Sequence, residues 1–176
     1  MRKLLLPAVA IVVAAIVDQF TKMMALAYLA DRPPVKVLGD FFQLTLVYNE
    51  GGAMGTNFGS PTYYLLSSIL ILIFLLYYIY SHREKYYITT ALGLIAGGAI
   101  GNIIDRIRFG RVVDFLDFDF FDINLFGYNL ERWWTFNIAD AVISCSIVYL
   151  LIKIFFFTHP QPHPADTPKN HSFPSL

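Results

Sequence analysis

Long apolar runs dominate the hydrophobic pattern of this chain, and four of them approach the roughly 20 residues that a helix needs to cross a bilayer. They are residues 4–17, which continue through DQFTK into MMALAYLA, and residues 63–80, 86–104 and 136–157. The runs lack the regular alternation of barrel strands, and backbone groups without hydrogen bonds are costly in hydrocarbon. The pattern therefore predicts four transmembrane helices.

Two segments between the runs have a different pattern. Residues 35–55 combine β-branched and aromatic residues with a glycine-rich turn, which predicts a strand or a hairpin closed by residues 49–52. Residues 115–132 alternate aromatic and acidic side chains, which favours an interfacial loop or a short helix. The expected fold class is an all-α membrane protein with a small extracytoplasmic β element and this outer loop or short helix.

Composition is typical of a membrane protein with one main domain. Of the 176 residues, 56% are hydrophobic and 15% are charged, whereas about a quarter are charged in an ordinary soluble domain. The formal net charge is zero, so no basic field indicates a nucleic-acid partner. We expect residues 1–158 to form the membrane domain and the Pro-rich, polar residues 159–176 to be a disordered cytoplasmic tail.

Charges flanking the runs predict the orientation. Arg2 and Lys3 precede the first run, and the cationic loop SHREK separates the second from the third, so the positive-inside rule places both termini in the cytoplasm. The other side carries a similar number of Lys and Arg residues and nearly all the acids, but short loops and the N-terminus weigh most in the rule. The first run also resembles a signal peptide, yet Asp18 and Lys22 interrupt the approach to its cleavage-like site, so we expect an uncleaved span.

The third run ends in the least expected segment for a membrane, GNIIDRIRFGRVVDF at residues 101–115. Gly93, Gly97 and Gly101 recur at every fourth position before it. On a helix they form one glycine face, where a neighbouring helix can approach closely. The polar groups of the segment therefore begin where a tightly packed helix pair is predicted to end.

Several charged residues next to these runs have local structural explanations. Asp105 and Arg106 follow Asn102 at helical spacing and can satisfy each other and neighbouring backbone groups at a helix end, so we favour structural support over direct catalysis for this pair. Asp18 and Lys22 are one helical turn apart and predict an i,i+4 ion pair, although Lys22 can also snorkel to the interface.

Two aspartates carry the strongest indication of chemistry. Asp114 lies among apolar residues, and Asp140 opens the fourth run three residues after Asn137, which also fits a capping box. Both lie at the outer ends of the third and fourth runs, so antiparallel packing would bring them to the same membrane depth. Two carboxylates in an apolar site share a proton, so one can activate water while the other polarises a carbonyl. This is aspartic-protease chemistry, which needs no metal and no cofactor.

The remaining polar residues give weaker signals. Asn49 is a polar group beside a flexible turn and by itself indicates only a turn. Cys145 lies in an apolar run and is expected to be a buried small hydrophobe. With one cysteine and no zinc-type Cys and His spacing, the sequence predicts neither an intramolecular disulfide nor a metal site.

Four motifs together resemble the lipoprotein signal peptidases, the signal peptidase II family. DQFTK lies in the first run, YNEGGAMG follows the outer strand, GNIIDRIRFGRVVDF leaves the third run, and FNIAD enters the fourth. They occur in the family's order over roughly residues 10–155, which makes the combination far more specific than any one motif. The acidic segment between the two aspartates is long for the family, which leaves the shape of the outer loop open.

The resemblance implies an integral aspartic endopeptidase of the bacterial inner membrane that cleaves prolipoproteins just before a diacylglyceryl-modified cysteine. It implies that Asp114 and Asp140 are the catalytic pair. The positions that match the family's supporting and substrate-binding residues are Asp18, Lys22, Asn49, Asn102, Asp105, Arg106 and Asn137. The implied partners are prolipoproteins and membrane lipids, with the cyclic peptide globomycin as inhibitor and the active site near the outer face.

Two other functions are compatible with the pattern. A small carrier or proton-coupled transporter would also place carboxylates and glycine-rich helices in a membrane. A non-catalytic assembly or lipid-binding protein would need the glycine face but not the aspartates. Asparagine substitutions test these alternatives, because a protease needs both Asp114 and Asp140, whereas a packing protein should tolerate Asn at either position.

Overall fold

The computed structural model describes residues 2–52, 59–120, 123–125, 128–130 and 132–157. The helices are α1 (Arg2–Leu29), α2 (Pro61–Ser81), α3 (Tyr86–Phe109) and α4 (Ile138–Phe157). The strands are β1 (Val35–Leu38), β2 (Phe42–Asn49), β3 (Val112–Phe118), β4 (Ile123–Leu125) and β5 (Tyr128–Leu130). Within the described residues, four helices are long and apolar enough to cross a membrane, which confirms the predicted spans.

Helix α3 is the centre of the bundle and contacts each of the other three helices. The glycine face allows α1 to approach closely. A Cβ atom added at Gly97 would lie 2.5 Å from the carbonyl oxygen of Ile11 and 2.7 Å from the Cβ of Ala14, both on α1. One added at Gly93 would lie 2.7 Å from the carbonyl oxygen of Pro7. The predicted close approach along the glycine face is confirmed.

The outer surface of the bundle is apolar, as a lipid-facing surface requires. Leu70 of α2 and Phe155 of α4 are 69% and 77% exposed, and many other large apolar side chains on the helices are also exposed. The expectation that Cys145 is buried is wrong, because this residue lies on an exposed side of α4. An apolar run in a membrane helix does not distinguish lipid-facing from buried positions, since both favour apolar side chains.

A three-stranded antiparallel sheet in the order β1-β2-β3 covers one end of the bundle. The predicted β element is confirmed, but the turn between β1 and β2 lies at residues 39–41 and not at 49–52. Gly39 supplies the positive φ of 56° that this turn uses. The end of β2 pairs instead with β3, with Asn49 opposite Val112 and Val47 opposite Asp114.

The prediction of a loop or short helix for residues 115–132 is wrong. Residues 115–118 complete β3, and β4 pairs with β5 as a second antiparallel hairpin. The alternation of aromatic and acidic residues has the two-residue period of a strand. In β3 the Phe118 ring stacks on the Phe42 ring of β2, with ring centroids 4.4 Å apart. Between α3 and β3, Gly110 takes a left-handed conformation with φ of 70°, which ends the helix and turns the chain directly into β3.

The predicted tail and the end of the YNEGGAMG motif lie outside the residues that the structure describes. The tail is residues 159–176, and the end of the motif falls within residues 53–58. The site described next rests on residues that the structure does describe.

Candidate active site

Asp114 lies in β3 and is 1% exposed. Its Oδ1 accepts a hydrogen bond of 2.7 Å from Asn137 Nδ2, and its Oδ2 accepts one of 3.1 Å from Asn49 Nδ2. Asn49 is the last residue of β2, which pairs with β3, so the sheet register brings its amide to the carboxylate. Both oxygens of this buried carboxyl group therefore have a donor, as burial requires.

Asp140 lies in the first turn of α4 and is half-buried. Its Oδ1 accepts a hydrogen bond of 2.9 Å from Asn102 Nδ2 on α3. Its backbone N–H donates to Asn137 Oδ1 at 3.0 Å, and the backbone N–H of Asn137 donates to Asp140 Oδ2 at 3.3 Å. The reciprocal pair confirms the predicted capping box, and the same two residues also face the candidate site.

The side chain of Asn137 joins the two carboxyl groups into one cluster. Its Nδ2 donates to Asp114, while its Oδ1 accepts the backbone N–H of Asp140. It is fully buried. The fold thus brings Asp114 and Asp140, hereafter the aspartate pair, together through amides from β2, α3 and the start of α4.

Burial and the charge of its neighbour perturb Asp114. Loss of solvent, followed by the negative charge of Asp140, raises the pKa of Asp114 from 3.8 to about 7. The hydrogen bonds from Asn49 and Asn137 act in the opposite direction but do not cancel this effect. A carboxyl group with such a pKa is still protonated in a large share of the molecules at neutral pH, as one member of a proton-sharing pair must be.

Beneath the aspartate pair lies a buried ionic cluster of Lys22, Asp18 and Asp105, hereafter the Lys22 cluster. Lys22 Nζ lies 2.9 Å from Asp18 Oδ2 and 2.9 Å from Asp105 Oδ2. The predicted i,i+4 ion pair is confirmed, and the alternative that Lys22 snorkels to the interface is wrong because the side chain is 2% exposed. Two carboxylates hold the ammonium inside, which offsets the cost of burying it.

The two carboxylates of the Lys22 cluster also hold the backbone next to the aspartate pair. Asp18 Oδ1 accepts the N–H of Ala139 at 2.9 Å, and Asp105 Oδ2 accepts the N–H of Val113 at 3.0 Å. Ala139 and Val113 are the residues directly before Asp140 and Asp114. The Lys22 cluster therefore fixes the position of both carboxyl groups through the chain that carries them.

Gln19 is a supporting residue that the sequence did not indicate. Its Nε2 donates to Asp105 Oδ1 at 2.9 Å and to the carbonyl oxygen of Gly101 at 3.1 Å. Gly101 leaves room for the neighbouring carboxylate of Asp18, which an added Cβ would overlap. The available signal was a second polar residue beside Asp18 in an otherwise apolar helix.

Arg106 holds the loop after β2 and does not support Asp105. Its Nη2 donates to the carbonyl oxygen of Gly51 at 3.0 Å, while Asn49 Oδ1 accepts the N–H of Gly51 at 2.9 Å. The prediction that Asp105 and Arg106 satisfy neighbouring backbone groups is confirmed, since Asp105 accepts the N–H of Val113 and Arg106 binds the carbonyl oxygen of Gly51. Their side chains point in different directions, because consecutive residues of a helix are about 100° apart. Asp105 faces the Lys22 cluster, and Arg106 faces the loop beside Asp114.

The donor set does not form a metal centre. Among the residues that the structure describes, no three His, Cys, Asp or Glu side chains are grouped so that they could hold a metal ion. The carboxylates at the site are instead bound by amides, an ammonium and backbone N–H groups.

This chain is similar in sequence to proteins of a known family. The model of the Signal peptidase (SPase) II family matches residues 10–156. A lipoprotein signal peptidase of Pelodictyon phaeoclathratiforme is 38% identical over 153 residues, which are 86% of this chain and 88% of that protein. One of Chlorobaculum tepidum is 39% identical over 153 residues, covering 84% of this chain and 94% of the relative.

A solved structure described as a bacterial membrane enzyme has the same architecture. It superposes with a TM-score of 0.70 at 31% sequence identity, covering 86% of this chain and 94% of its own. The family match includes most of α1, nearly all of α4, the whole of α2, α3 and the sheet, and every residue of the candidate site. The chain belongs to the signal peptidase II family, membrane proteases that remove signal peptides from lipoproteins.

Proposed function

We propose that this chain is an aspartic endopeptidase in which Asp114 and Asp140 activate a water molecule for amide hydrolysis. The observation that carries the proposal is the aspartate pair itself. It joins a buried carboxyl group whose pKa is raised to about 7 to a second carboxylate through a shared asparagine. A carboxyl group that can keep its proton at neutral pH, beside a second carboxyl group, supplies the acid and the base that this reaction needs.

The pair begins and ends the reaction with one proton on its two carboxyl groups. The ionised carboxylate takes a proton from water, whose oxygen attacks the carbonyl carbon of the scissile amide, and the protonated carboxyl group gives its proton to the carbonyl oxygen. When the tetrahedral intermediate collapses, the C–N bond breaks and the nitrogen takes the proton that came from water. The second carboxyl group recovers its proton from the hydroxyl that becomes the new carbonyl, so the pair returns to its starting state.

The other polar residues of the site have supporting roles in this proposal. Asn49 and Asn137 hold Asp114, and Asn102 holds Asp140. Arg106 fixes the loop beside Asp114 through Gly51. The Lys22 cluster holds the backbone that carries the aspartate pair.

The proposed substrate is a diacylglyceryl-modified prolipoprotein, cleaved just before the lipid-bearing cysteine. Family membership supports a lipoprotein substrate, and the apolar, lipid-exposed helix surfaces support lateral entry of a lipid-anchored chain with surrounding membrane lipids. Globomycin is the expected inhibitor because it is the inhibitor of the family. Family membership also favours the protease over the carrier and the assembly protein.

The proposed location is the bacterial inner membrane, with both termini cytoplasmic and the site near the outer face. Lys3 pairs with Glu84, so the start of α1 and the cationic loop between α2 and α3 lie at the same end of the bundle. This agrees with the positive-inside argument for that end. The aspartate pair lies at the opposite ends of α3 and α4. Residues 1–158 would be the peptidase domain and residues 159–176 a cytoplasmic tail.

A gel-shift cleavage assay tests the proposal. Wild type in detergent should cleave a diacylglyceryl-modified prolipoprotein and leave the unlipidated form intact. Asp114→Asn and Asp140→Asn should each abolish turnover, because an amide can neither accept the proton of water nor take part in the shared proton. Removing a general acid or base typically costs about 10²–10⁴-fold in rate.

Asp117→Asn is the matched control for this assay. Asp117 lies three residues after Asp114 on the same strand, where it binds Thr45 at 2.8 Å and Arg132 at 2.9 Å, away from the aspartate pair. This variant should keep most of the activity. Substantial turnover by a folded Asp114→Asn or Asp140→Asn protein would disprove the aspartic mechanism, and no cleavage by folded wild type would disprove the substrate.

A further inference from the structure

Lys22 touches more than its two carboxylates. Its Nζ also donates to Asn102 Oδ1 at 2.7 Å, and Asn102 Nδ2 donates to Asp140 Oδ1 at 2.9 Å. A single amide therefore connects the buried ammonium on α1 to one member of the aspartate pair on α4.

The charge of Lys22 determines which way this amide points. An ammonium group is a donor only, so the face of Asn102 turned toward Lys22 must be its oxygen, and the NH2 group must face Asp140. Asn102 Oδ1 also accepts a second hydrogen bond, which is longer than the one from Lys22. It comes from Asn137 Nδ2 at 3.2 Å, and that same Nδ2 also lies 3.3 Å from the carbonyl oxygen of Val113 and 2.7 Å from Asp114 Oδ1.

We propose that Lys22 is a positioning residue for the hydrolysis: by holding the oxygen of Asn102, it keeps an N–H directed at Asp140, so that Asp140 is the ionised base and Asp114 carries the shared proton. This inference rests on the proposed aspartic mechanism and assigns the acid and the base within it. A flipped Asn102 would present an oxygen to Asp140, and two oxygens can share a hydrogen bond only if the carboxyl group is protonated. The orientation of one amide would then exchange the two roles.

The surroundings of the aspartate pair agree with this assignment. Asp114 is the more deeply buried member, and burial disfavours its charged form. The charged groups that interact with the pair are Lys22 of α1, which acts on Asp114, and Arg106 of α3, which acts on both aspartates. One step further away, Asp18 and Asp105 interact with Lys22, and Asp105 and Tyr64 interact with Arg106. Among them, Lys22 is connected to Asp140 through a hydrogen-bonded amide.

A double-mutant cycle on turnover tests the proposal. The variants are Lys22→Met, Asn102→Leu and the double variant, and each is assayed for kcat and for melting temperature in detergent. Each single change should lower kcat by about 10²-fold, the lower end for loss of correct acid and base function. The double variant should be no more than about threefold slower than Asn102→Leu, because Lys22 acts on the reaction through Asn102.

The pH profile of kcat/KM gives a readout that a purely structural role would not move. In both single variants the acid limb should shift to higher pH, because the ionised carboxylate has lost its N–H donor. The control Lys153→Met removes a lysine at the far end of α4, where Nζ lies 5.6 Å from the Tyr87 ring, and should leave the profile unchanged.

Folding is controlled with a charge-balanced variant. Removing one partner of a buried ion pair is strongly destabilising, so Lys22→Met will lower the melting temperature and the fraction folded. Lys22→Met with Asp18→Asn removes one charge of each sign, and an asparagine oxygen can still accept the N–H of Ala139. If Lys22→Met does not fold, this pair of changes takes its place in the cycle.

The outcomes separate this inference from the proposed function. Multiplicative losses of kcat in the double variant, or an acid limb that stays in place, would overturn the role of Lys22 while leaving the aspartic mechanism intact. A wild type that does not cleave, or an active Asp114→Asn variant, would remove the mechanism itself. Coupled losses of kcat together with a shifted limb in a folded protein would support both.

Discussion

At the residue scale, two kinds of contact hold the site together: contacts within one helix and contacts between distant parts of the chain. The Asp18–Lys22 pair and the Asn137–Asp140 cap follow from spacings of four and three along a helix, and both are present. The contact of Arg106 with Gly51 crosses 55 positions of sequence and has no spacing to indicate it. The orientation of Asn102 depends on an ammonium 80 positions away, so only the assembled fold defines it.

The titration of Asp114 predicts a pH dependence of stability. Below about pH 4 this carboxyl group is protonated in both the folded and the unfolded chain. As the pH rises from about 4 to about 7, the Asp114 carboxyl group loses its proton in the unfolded chain. In the folded protein, where its pKa is about 7, the group keeps its proton over most of this range. The unfolded chain then binds fewer protons than the folded protein. The free energy of unfolding that Asp114 contributes therefore falls over this window and does not change further above it.

Comparison with Asp114→Asn isolates this contribution. Melting temperatures of the wild type and of the variant, measured in detergent between about pH 4 and about pH 8, should diverge, with the variant gaining relative to the wild type as the pH rises. Parallel melting curves over the whole range would show that Asp114 does not hold its proton in the folded state.

At the scale of elements, hydrophobic runs located the helices to within a few residues. Helix α3 continues to Phe109, beyond the predicted residue 104, and so includes Asp105 and Arg106 in its last turns. Strand β3 was missed because its acids and aromatics were attributed to a membrane surface. The buried partner that makes this alternation a strand is β2, which lies about 70 residues earlier and cannot be inferred from local pattern.

Gly97→Leu tests the packing of α1 on α3. The side chain would have to displace the backbone of Ile11 and the Cβ of Ala14, and overpacking of this kind costs about 1–3 kcal/mol or more. The melting temperature in detergent should fall clearly, and activity should fall with it because the Lys22 cluster bridges the same two helices. Ala8→Leu is the control, since Ala8 is exposed on α1. Equal melting temperatures for both variants would contradict the close approach along the glycine face.

At the scale of the whole molecule, the number of spans and the family followed from the sequence, while the site required the fold. Four motifs in order indicated signal peptidase II, and the family match over residues 10–156 confirms it. The motifs could not show that DQFTK and FNIAD meet through the N–H of Ala139. That contact depends on α1 and α4 both packing against α3.

Removal of metals tests the whole enzyme. Purified protein treated with a chelator and desalted should cleave the lipidated substrate at the untreated rate, because in the proposed mechanism two carboxyl groups supply the acid and the base. A matched sample that receives Mg²⁺ or Zn²⁺ after treatment serves as the comparison. Activity that is lost with the chelator and restored by added metal would contradict a mechanism carried by the aspartates alone.

The order of elements along the chain has a consequence for biosynthesis. Asp18 and Lys22 lie on the same helix, so their ion pair can form within α1 when this helix enters the bilayer. Asp114 and Asp140 lie on β3 and α4, which are made later, and the backbone N–H groups that Asp18 and Asp105 hold come from the same late elements. Under the proposed aspartic mechanism, a nascent chain would therefore be catalytically silent until its last helix inserts. Insertion of α4 would then be the step that activates the enzyme.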